Sequence, residues 1–272
     1  MPARPQDAEI FHALHRDFLI LPNVWDAGSA RIVQEAGAKA VATSSAAVAW
    51  AHGYADGHGL PISILVTAVK EIARVVSVPI TVDAEGGYSD DPAEVGKNIA
   101  ALIDAGGVGI NLEDGKWPHE LHLKKIEAAR NAGERAGVKL FINARTDVYL
   151  KQLAPADQAQ AETLRRAKAI KDAGASGLFV PGVFDADEIK AIAAGCGLPL
   201  NVMARPGAPK AAELKALGAR RVSAATSIYN AAMAAATDAA REFLTEGDSE
   251  KLWARRGAPV DYNALFATSP ET

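Results

Sequence analysis

The chain has 272 residues, with 29 Lys and Arg against 33 Asp and Glu, so its formal net charge is −4. Hydrophobic residues make up 49% of the chain and aromatic residues 6%, so Ala, Val, Ile and Leu supply most of the apolar content. This balance excludes a disordered or fibrous chain and argues against nucleic acid or an anionic membrane as the main partner. The single cysteine, Cys196, excludes an internal disulfide and a cysteine-rich zinc site.

The cellular location is indicated by what the sequence lacks. Residues 1–18 contain no apolar stretch of the signal-peptide type, and no run approaches the roughly 20 apolar residues that span a bilayer. Together with the lone cysteine, this predicts a cytoplasmic protein without membrane or nucleic-acid partners.

Short β-rich runs alternate with helical segments along the chain. The predicted strands are residues 18–24, 40–43, 79–83, 109–113, 139–144, 177–181, 199–203 and 221–224. Apolar residues at helical spacing predict helices over 28–35, 64–75, 92–104, 121–136, 157–173, 185–194 and 208–217. Eight strands alternating with helices predict an α/β protein with a (β/α)8 TIM barrel. An open doubly wound sheet would instead need a G-x-G-x-x-G turn after the first strand, which residues 23–28 do not provide.

Several predicted helices end in a repeated phrase that contains glycine, at Gly37, Gly106, Gly174 and Gly218. Glycine at this place ends a helix in the left-handed conformation before the next strand begins. No linker or low-complexity tract divides the chain. We predict a single domain over residues 1–272, with the barrel over about 18–230 and a C-terminal helical extension over about 231–272 that docks on a neighbouring subunit.

Acidic residues gather at the ends of the third and fourth predicted strands, and a cation follows the fifth. Asp83 and Glu85 follow one strand, Glu113 ends the next, and Arg145 follows the fifth. In such barrels the carboxyl ends of the strands carry the chemistry. Three carboxylates at one rim would repel each other unless a cation compensates them, and Mg²⁺ prefers oxygen ligands. We predict that Asp83 binds the metal directly, that Glu85 and Glu113 hold its waters, and that Arg145 binds a substrate carboxylate or phosphonate.

Acids at these junctions also have a purely structural interpretation. They are common as helix N-caps and as salt-bridged loop residues. We favour this structural role for Asp114 and Asp147 individually, and the metal-site role for the acids and arginine named above taken together.

Five ordered motifs carry a family resemblance. They are Pro22–Ala27 (PNVWDA), Thr43–Ala46 (TSSA) followed by Gly53–Gly57 (GYADG), Val82–Tyr88 (VDAEGGY), Asn111–Gly115 (NLEDG) and Ile142–Asp147 (INARTD). In this order and over about residues 21–227, the chain resembles the isocitrate lyase/phosphoenolpyruvate mutase superfamily, in its short-lid branch similar to phosphonomutases and 2-methylisocitrate lyase. That resemblance implies a (β/α)8 barrel, often with C-terminal helices exchanged within homodimers or homotetramers.

The resemblance also implies a cofactor, a substrate class and residue roles. Members bind Mg²⁺, with Mn²⁺ as the alternative ion, and a small 2-oxo acid or dicarboxylate. Asp83 resembles the metal aspartate, Glu85 and Glu113 resemble its supporting acids, and Arg145 resembles the substrate-binding arginine. By the same resemblance Asp56 belongs to the catalytic set together with Glu113 and Arg145. The substrate contacts implied are Ser44, Ser45, Ala46, Asp83, Arg145 and Asn201.

The sequence departs from the lyase pattern after the fourth strand. Lyases carry a mobile lid there with a catalytic cysteine, whereas this chain has only residues 116–120 (KWPHE) between Gly115 and the predicted helix, and no cysteine. His119 and His122 are two candidates to replace the missing acid/base, but the favoured interpretation is that both are solvated at the helix start. Solvent-exposed positions are also predicted for His15 on an N-terminal helix and for Arg221.

Three functions therefore stay open at this stage. The first is a Mg²⁺-dependent lyase that cleaves a C–C bond or decarboxylates a small 2-oxo acid through an enolate. The second keeps the site but acts on a P–C bond, as in phosphonopyruvate hydrolase or phosphoenolpyruvate mutase. The third is a catalytically weak oxo-acid-binding protein that has lost its lid.

Overall fold

A computed structural model describes residues 2–115, 117–257 and 260–267 of the chain. The described residues form nine short parallel strands in one sheet. The strands are β1 (Leu19–Leu21), β2 (Asn23–Val24), β3 (Val41–Thr43), β4 (Ile80–Asp83), β5 (Gly107–Glu113), β6 (Phe141–Arg145), β7 (Gly177–Phe179), β8 (Leu200–Met203) and β9 (Arg221–Ser223).

The sheet closes on itself because the first predicted strand is divided in two. The strand order runs β1-β9-β8-β7-β6-β5-β4-β3-β2, and only Pro22 separates β1 from β2. Proline lacks the N–H that a continuous ladder would require. The Leu21 carbonyl accepts from the Ala224 N–H at 3.2 Å, and the Pro22 carbonyl accepts from the Ala42 N–H at 3.1 Å. One short segment thus bridges both sheet ends, and the predicted (β/α)8 TIM barrel is confirmed as a nearly closed barrel.

Helices surround the barrel, and further helices come after its last strand in the chain. They are α1 (Pro5–Leu14), α2 (Ala27–Glu35), α3 (Ser45–Ala51), α4 (Ile62–Val75), α5 (Pro92–Asp104), α6 (His119–Arg135), α7 (Ala159–Asp172), α8 (Ala186–Gly195), α9 (Ala211–Ala216), α10 (Ser227–Glu246), α11 (Ser249–Ala254) and α12 (Tyr262–Ala267). The apolar face of α4 shows why they form, since Leu65, Ala68, Val69 and Ile72 recur at helical spacing and are all buried. Within the described ranges, no helix is long and apolar enough to cross a membrane.

The predicted glycine stops are confirmed in the backbone. Gly37, Gly106, Gly174 and Gly218 have φ values of 98°, 118°, 103° and 95°. Side chains with a Cβ rarely adopt this region, so glycine allows the chain to leave each helix and turn at once into the following strand. These short turns lie at the amino ends of the strands, on the side of the barrel opposite the rim that the carboxyl ends form.

Helix α1 closes the amino end of the barrel. The Phe11 ring lies edge-on to Phe141 with centroids 5.3 Å apart, and the His15 ring stacks on Phe141 at 4.0 Å. His15 is only 5% exposed, so the prediction that it is solvated was wrong. Its Nδ1 lies 2.8 Å from the Phe11 carbonyl and therefore donates to it. Contacts with β6, which the local sequence does not reveal, bury this histidine.

The buried His15 makes stability depend on pH. Burial, and secondarily the charge of Arg221, lower the pKa of His15 to about 3. The unfolded chain, with a pKa near 6.5, binds a proton that the folded chain refuses, so stability falls as the pH falls from about 6.5 towards 3. We expect His15 alone to lower the free energy of unfolding by about 2 kcal/mol between pH 7 and pH 5.

Urea unfolding at both pH values would measure this loss. His15→Phe keeps an aromatic ring on Phe141 but cannot titrate, so its stability should fall less between the two pH values than that of the wild type. His52→Gln, at an exposed position, serves as the matched control and should keep the wild-type difference. An equal loss in His15→Phe and the wild type would contradict the assignment.

Candidate active site

Asp83 ends β4 at the carboxyl rim of the barrel. Its backbone N–H donates to Thr43 Oγ1 at 2.8 Å, and its Oδ2 accepts from the backbone N–H of Ser45 at 3.1 Å. That N–H belongs to the first residue of α3, where backbone donors have no partner inside the helix. Two neighbouring elements therefore fix the orientation of this carboxylate, while its side chain stays partly exposed.

Glu85 lies just beyond Asp83 in a turn that holds it in the left-handed region, with φ 48°. Its side chain is buried and accepts from the Tyr88 hydroxyl at Oε1, at 3.0 Å, and from the His58 backbone N–H at Oε2. Burial, followed by the negative charge of Asp83, raises the pKa of Glu85 to about 7. A left-handed conformation in a residue other than glycine costs free energy, which these hydrogen bonds help to offset.

Glu113, at the end of β5, forms an ion pair with Arg145, at the end of β6. Glu113 Oε2 lies 2.8 Å from Arg145 Nη1, and Asp147 accepts from Arg145 Nε at 2.6 Å and from Nη2 at 3.2 Å. Lys151 Nζ lies 2.8 Å from Asp147 Oδ2. The alignment of β5 with β6 places Glu113 directly beside Arg145. The strands therefore bring together the acid and the cation that the sequence predicted to share a rim.

The charges of this cluster are strongly coupled. Burial raises the pKa of Glu113 to about 7, although Arg145 acts to lower it and Asp83 adds to the rise. For Arg145, burial alone would lower the pKa, but the carboxylates of Glu113 and Asp147 outweigh burial and raise it. The guanidinium stays charged, and the acids around it carry negative charge that a further cation would stabilise.

Asp114 has the structural role that the sequence analysis favoured. It is fully buried and accepts from Thr146 Oγ1 at 2.7 Å, from the Asp147 N–H at 2.9 Å and from Arg166 Nη1 at 2.7 Å. These bonds tie the end of β5 to the loop after β6 and to α7. Asp147 is also buried and orients Arg145, so it is a salt-bridged loop residue as favoured.

The other residues predicted to form the site lie around this rim at different depths. Ser44 caps α3, with its Oγ 3.5 Å from the Ala47 N–H, and Ser45 and Ala46 are buried in the first turn of that helix. Asp56 is exposed on the following loop, and its charge is one cause of the raised pKa of Glu85. Asn201, on β8, is buried deeper in the barrel, where its Oδ1 accepts from Ser223 Oγ at 3.4 Å.

A buried cation below the rim was missed by the sequence analysis. Arg221 is 1% exposed, and its Nη2 lies 3.4 Å from Asn111 Oδ1, which also accepts from Asn143 Nδ2 at 2.9 Å. Burial lowers the pKa of Arg221 to about 9. The prediction of a solvated arginine was wrong, because a polar layer inside the barrel surrounds it. Its position as the first residue of a strand, spaced to face inward, was the available signal.

The two histidines after β5 are also buried, contrary to the favoured interpretation. His122 is on α6, outside the barrel, where its Nε2 donates to the Leu112 carbonyl at 3.0 Å, and His119 lies one turn before it. Burial lowers the pKa of both side chains, that of His122 to about 4. Packing against the outer face of β5, rather than solvation or a place among the rim acids, explains them.

The segment where a lid would lie is short, as predicted. Only residues 114–118 separate β5 from α6, and Lys116 lies outside the described residues. The Trp117 N–H donates to the Asp114 carbonyl at 3.0 Å, which turns the chain sharply. The helix therefore begins almost directly at the rim.

The rim suits a hard divalent ion that takes few ligands from the protein. Among the described residues, no three His, Cys, Asp or Glu side chains are arranged to hold a metal by themselves. An ion here would need one direct carboxylate ligand, with waters and substrate oxygens completing its shell, as Mg²⁺ accepts. Asp83 accepts a single hydrogen bond at its carboxylate, and the nearby acids have pKa values raised in part by its charge. The residues present fit such an ion.

A (β/α)8 barrel with acids and an arginine at its carboxyl rim is the arrangement expected of the lyases and mutases that the sequence resembles. A family model described as phosphoenolpyruvate phosphomutase matches residues 11–244. The chain therefore belongs to the phosphoenolpyruvate phosphomutase family, within the isocitrate lyase/phosphoenolpyruvate mutase superfamily, and the predicted resemblance is confirmed.

Proteins with several different names match most of this chain. An oxaloacetate decarboxylase from Bradyrhizobium sp. strain BTAi1 is 31% identical over 82% of this chain and 77% of its own. The structure of a candidate phosphonomutase from Burkholderia cenocepacia J2315 is 42% identical, covers 87% of this chain and 99% of its own, and has a TM-score of 0.83. The structure of 2,3-dimethylmalate lyase is 25% identical over 89% of each chain, with a TM-score of 0.80.

Proposed function

We propose that this protein is a lyase, dependent on Mg²⁺ or Mn²⁺, that breaks the C–C bond one carbon away from the oxo carbon of a small 2-oxo diacid, with decarboxylation of an oxaloacetate-like substrate as the leading case. The observation that carries the proposal is the cluster of Asp83, Glu113 and Arg145 at one rim, in which Glu113 pairs with Arg145 and the charge of Asp83 acts on both. The oxaloacetate decarboxylase relative, which the chain matches over most of its length, supports this choice.

Arg145 is suited to bind a substrate carboxylate. Of the five N–H donors of a guanidinium, Asp147 accepts two and Glu113 lies against a third, so two donors have no partner among the described residues and could bind a ligand. Asp147, which also pairs with Lys151, holds the guanidinium in place, and this reduces the entropy lost when the ligand binds. A substrate carboxylate placed there would form a charge-assisted hydrogen bond with the guanidinium. This contact would hold the substrate, and with it the C–C bond that breaks, in one position.

Asp83 would hold the ion, with Glu85 and Glu113 orienting its water ligands. When bound, the divalent ion polarises the 2-oxo group and stabilises the negative charge that develops as the neighbouring bond breaks. The Ser45 N–H keeps the Asp83 carboxylate in one orientation before any ligand arrives. Tyr88 and the His58 backbone do the same for Glu85, so little reorganisation is needed during the reaction.

P–C bond chemistry is the second candidate function. The 42% identity to a candidate phosphonomutase favours it, and the two free donors of Arg145 would bind a phosphonate as well as a carboxylate. The third candidate, an oxo-acid-binding protein with weak catalysis, is consistent with the short segment after β5.

An assay with a panel of substrates separates the three. Oxaloacetate, 2-methylisocitrate, isocitrate and phosphonopyruvate are each incubated with Mg²⁺ while pyruvate, glyoxylate and phosphate are followed. Release of pyruvate from oxaloacetate supports the proposal, and release of phosphate from phosphonopyruvate supports the second candidate. Oxalate binding that depends on Mg²⁺, without any turnover, would show a binding protein and refute the lyase.

We also propose that the C-terminal helices join subunits into a dimer or tetramer, as predicted from the sequence. Near its start, Tyr229 of α10 contacts the Trp25 ring at 5.1 Å. Further along, large apolar side chains are exposed, including Leu244 at 84% and Trp253 at 58%. Apolar surface of this kind is typical of a subunit contact.

Leu244→Asp is therefore expected to shift the protein towards the monomer, because a charge would be buried in the contact. Size-exclusion chromatography with light scattering over a concentration series measures the shift. Lys70→Asp, at an exposed position on α4, is the matched control and should leave the mass unchanged. A wild-type monomer at all concentrations would refute the proposal.

A further inference from the structure

The indole of Trp117 lies against the turn that follows the Asp83 strand. A Cβ added to Gly86 would come 2.4 Å from Trp117 Cζ3 and 2.8 Å from Cη2. A Cβ added to Gly115 would come 2.9 Å from Trp117 Cζ3 and 3.4 Å from Glu113 Oε1. Glycine at both positions leaves room for the ring. The indole therefore lies between Gly86, which follows Glu85 directly, and Gly115, two residues after Glu113.

Two side chains from other elements hold the ring in place. Lys125 Nζ, on α6, lies 4.1 Å from the centroid of the Trp117 ring and donates to the Gly86 carbonyl at 2.8 Å. The ammonium group is thus fixed over the indole face, where the negative face of the ring attracts a cation. On another side the His58 ring lies 5.0 Å from the Trp117 ring.

His58 connects this cluster to the loop that carries Asp56. Its Nε2 accepts from the Gly86 N–H at 2.9 Å, which requires the ring to be neutral at that nitrogen. The same Nε2 lies 3.5 Å from Glu85 Oε2. The Asp56 loop and the 114–118 segment consequently meet over Glu85 and Gly86.

These contacts form a wall that needs no closing movement. A long lid must close over a bound ligand in each turnover, whereas Trp117 already lies beside the rim acids. Its turn begins at Asp114, which is buried and bonded to Arg166 and Thr146. The indole is partly exposed, so it borders the opening as well as the interior.

We propose that Trp117 is a fixed wall of the substrate pocket that limits substrate size, so that compact diacids such as oxaloacetate fit and branched ones such as 2-methylisocitrate are excluded. This inference rests on the proposed lyase function and deepens it. The ring occupies space that the extra carbon branch of a larger substrate would need, and the grip of Lys125 prevents it from swinging away.

Trp117→Ala tests the wall. We expect the ratio of kcat/KM for 2-methylisocitrate to kcat/KM for oxaloacetate to rise on the order of 10- to 100-fold, the usual discrimination by pocket size. Trp117→Phe should give an intermediate ratio and serves if the alanine variant does not fold. Lys125→Met should shift the ratio in the same direction but less. Glu120→Ala, at an exposed position near the start of α6, is the control and should keep the wild-type ratio.

The outcomes separate this inference from the proposed function. If the wild type turns over oxaloacetate and both Trp117 variants keep the wild-type ratio, the wall is refuted while the lyase stands. If the wild type neither turns over oxaloacetate nor binds oxalate with Mg²⁺, the lyase and the wall are both refuted. Oxalate, which is smaller than either substrate, should bind to Trp117→Ala about as well as to the wild type. A large loss of oxalate binding would indicate general damage to the site and would also refute the wall.

Discussion

Asp83→Ala is expected to abolish metal-dependent ligand binding, with oxalate affinity in the presence of Mg²⁺ falling at least about 100-fold, or about 2.7 kcal/mol. Asp83 ends β4, and a single backbone hydrogen bond, from Ser45, holds its carboxylate. Removing it takes away the one direct protein ligand that an ion at this rim would have. The neighbouring acids cannot substitute, because Tyr88 and His58 already occupy the oxygens of Glu85.

Isothermal titration with oxalate, with and without Mg²⁺, measures the effect, and circular dichroism checks that the barrel is folded. Asp104→Ala provides the matched control, since Asp104 is an exposed carboxylate at the end of α5. It should bind as the wild type does. Undiminished Mg²⁺-dependent binding by a folded Asp83→Ala variant would remove Asp83 from the metal site.

Arg145→Lys is expected to lower kcat/KM by roughly 100- to 1000-fold, the loss typical when one preorganised donor group is removed from a site. Lysine keeps the positive charge between Glu113 and Asp147, but it cannot reproduce the planar fork that serves both acids and a ligand. Arg145→Met should in addition destabilise the fold by about 3 kcal/mol, the lower end of the cost of breaking a buried ion pair. The buried Asp147 and the partly buried Glu113 would lose the guanidinium and keep only Lys151 nearby.

Steady-state kinetics and thermal unfolding together separate these roles. In Arg145→Lys, activity should fall much further than stability. Arg165→Lys is the matched control, because Arg165 pairs with Glu162 on the exposed face of α7, and both activity and stability should stay near wild-type values. If Arg145→Lys kept full activity, substrate binding by this arginine would be contradicted.

Local pattern was sufficient to predict the barrel. Apolar runs marked every barrel strand, and glycine marked four of the helix ends. The errors in boundaries have local causes that periodicity does not register. Pro22 divides the first strand, and α9 begins at Ala211 instead of residue 208 because Pro209 precedes it. At α6 the helix begins two residues early, at His119, directly after Pro118.

Partners distant in sequence were much harder to predict. The grouping of Asp83, Glu113 and Arg145 followed from the rule that strand ends meet at one rim. The burial of His15 and Arg221 depends on elements more than a hundred residues away, Phe141 for the former and Asn111 for the latter. Polarity alone therefore misplaced both side chains.

The position of Trp117 also depends on contacts that the sequence alone does not show. The sequence indicated that a lid was missing, but the ring that stands in its place depends on two glycines and on Lys125. The contact joins Trp117 to glycines on two different loops. A single sequence does not show which of its residues lie opposite each other in this way. The roles of Asp56, Ser44 and Asn201 in binding stay predictions, because their positions are compatible with a ligand but do not require one.

Helix α1, at the amino end of the barrel, restricts where a ligand can enter and leave. Phe11 and His15 pack on Phe141, and a Cβ on Gly109 would meet Phe11 Cε1 at 2.8 Å, so this end is filled. A ligand that binds at Asp83 would therefore enter and leave through the opposite end, where the carboxyl ends of the strands lie. Under the proposed cleavage, both products would use that end, and the product nearer the opening would depart first.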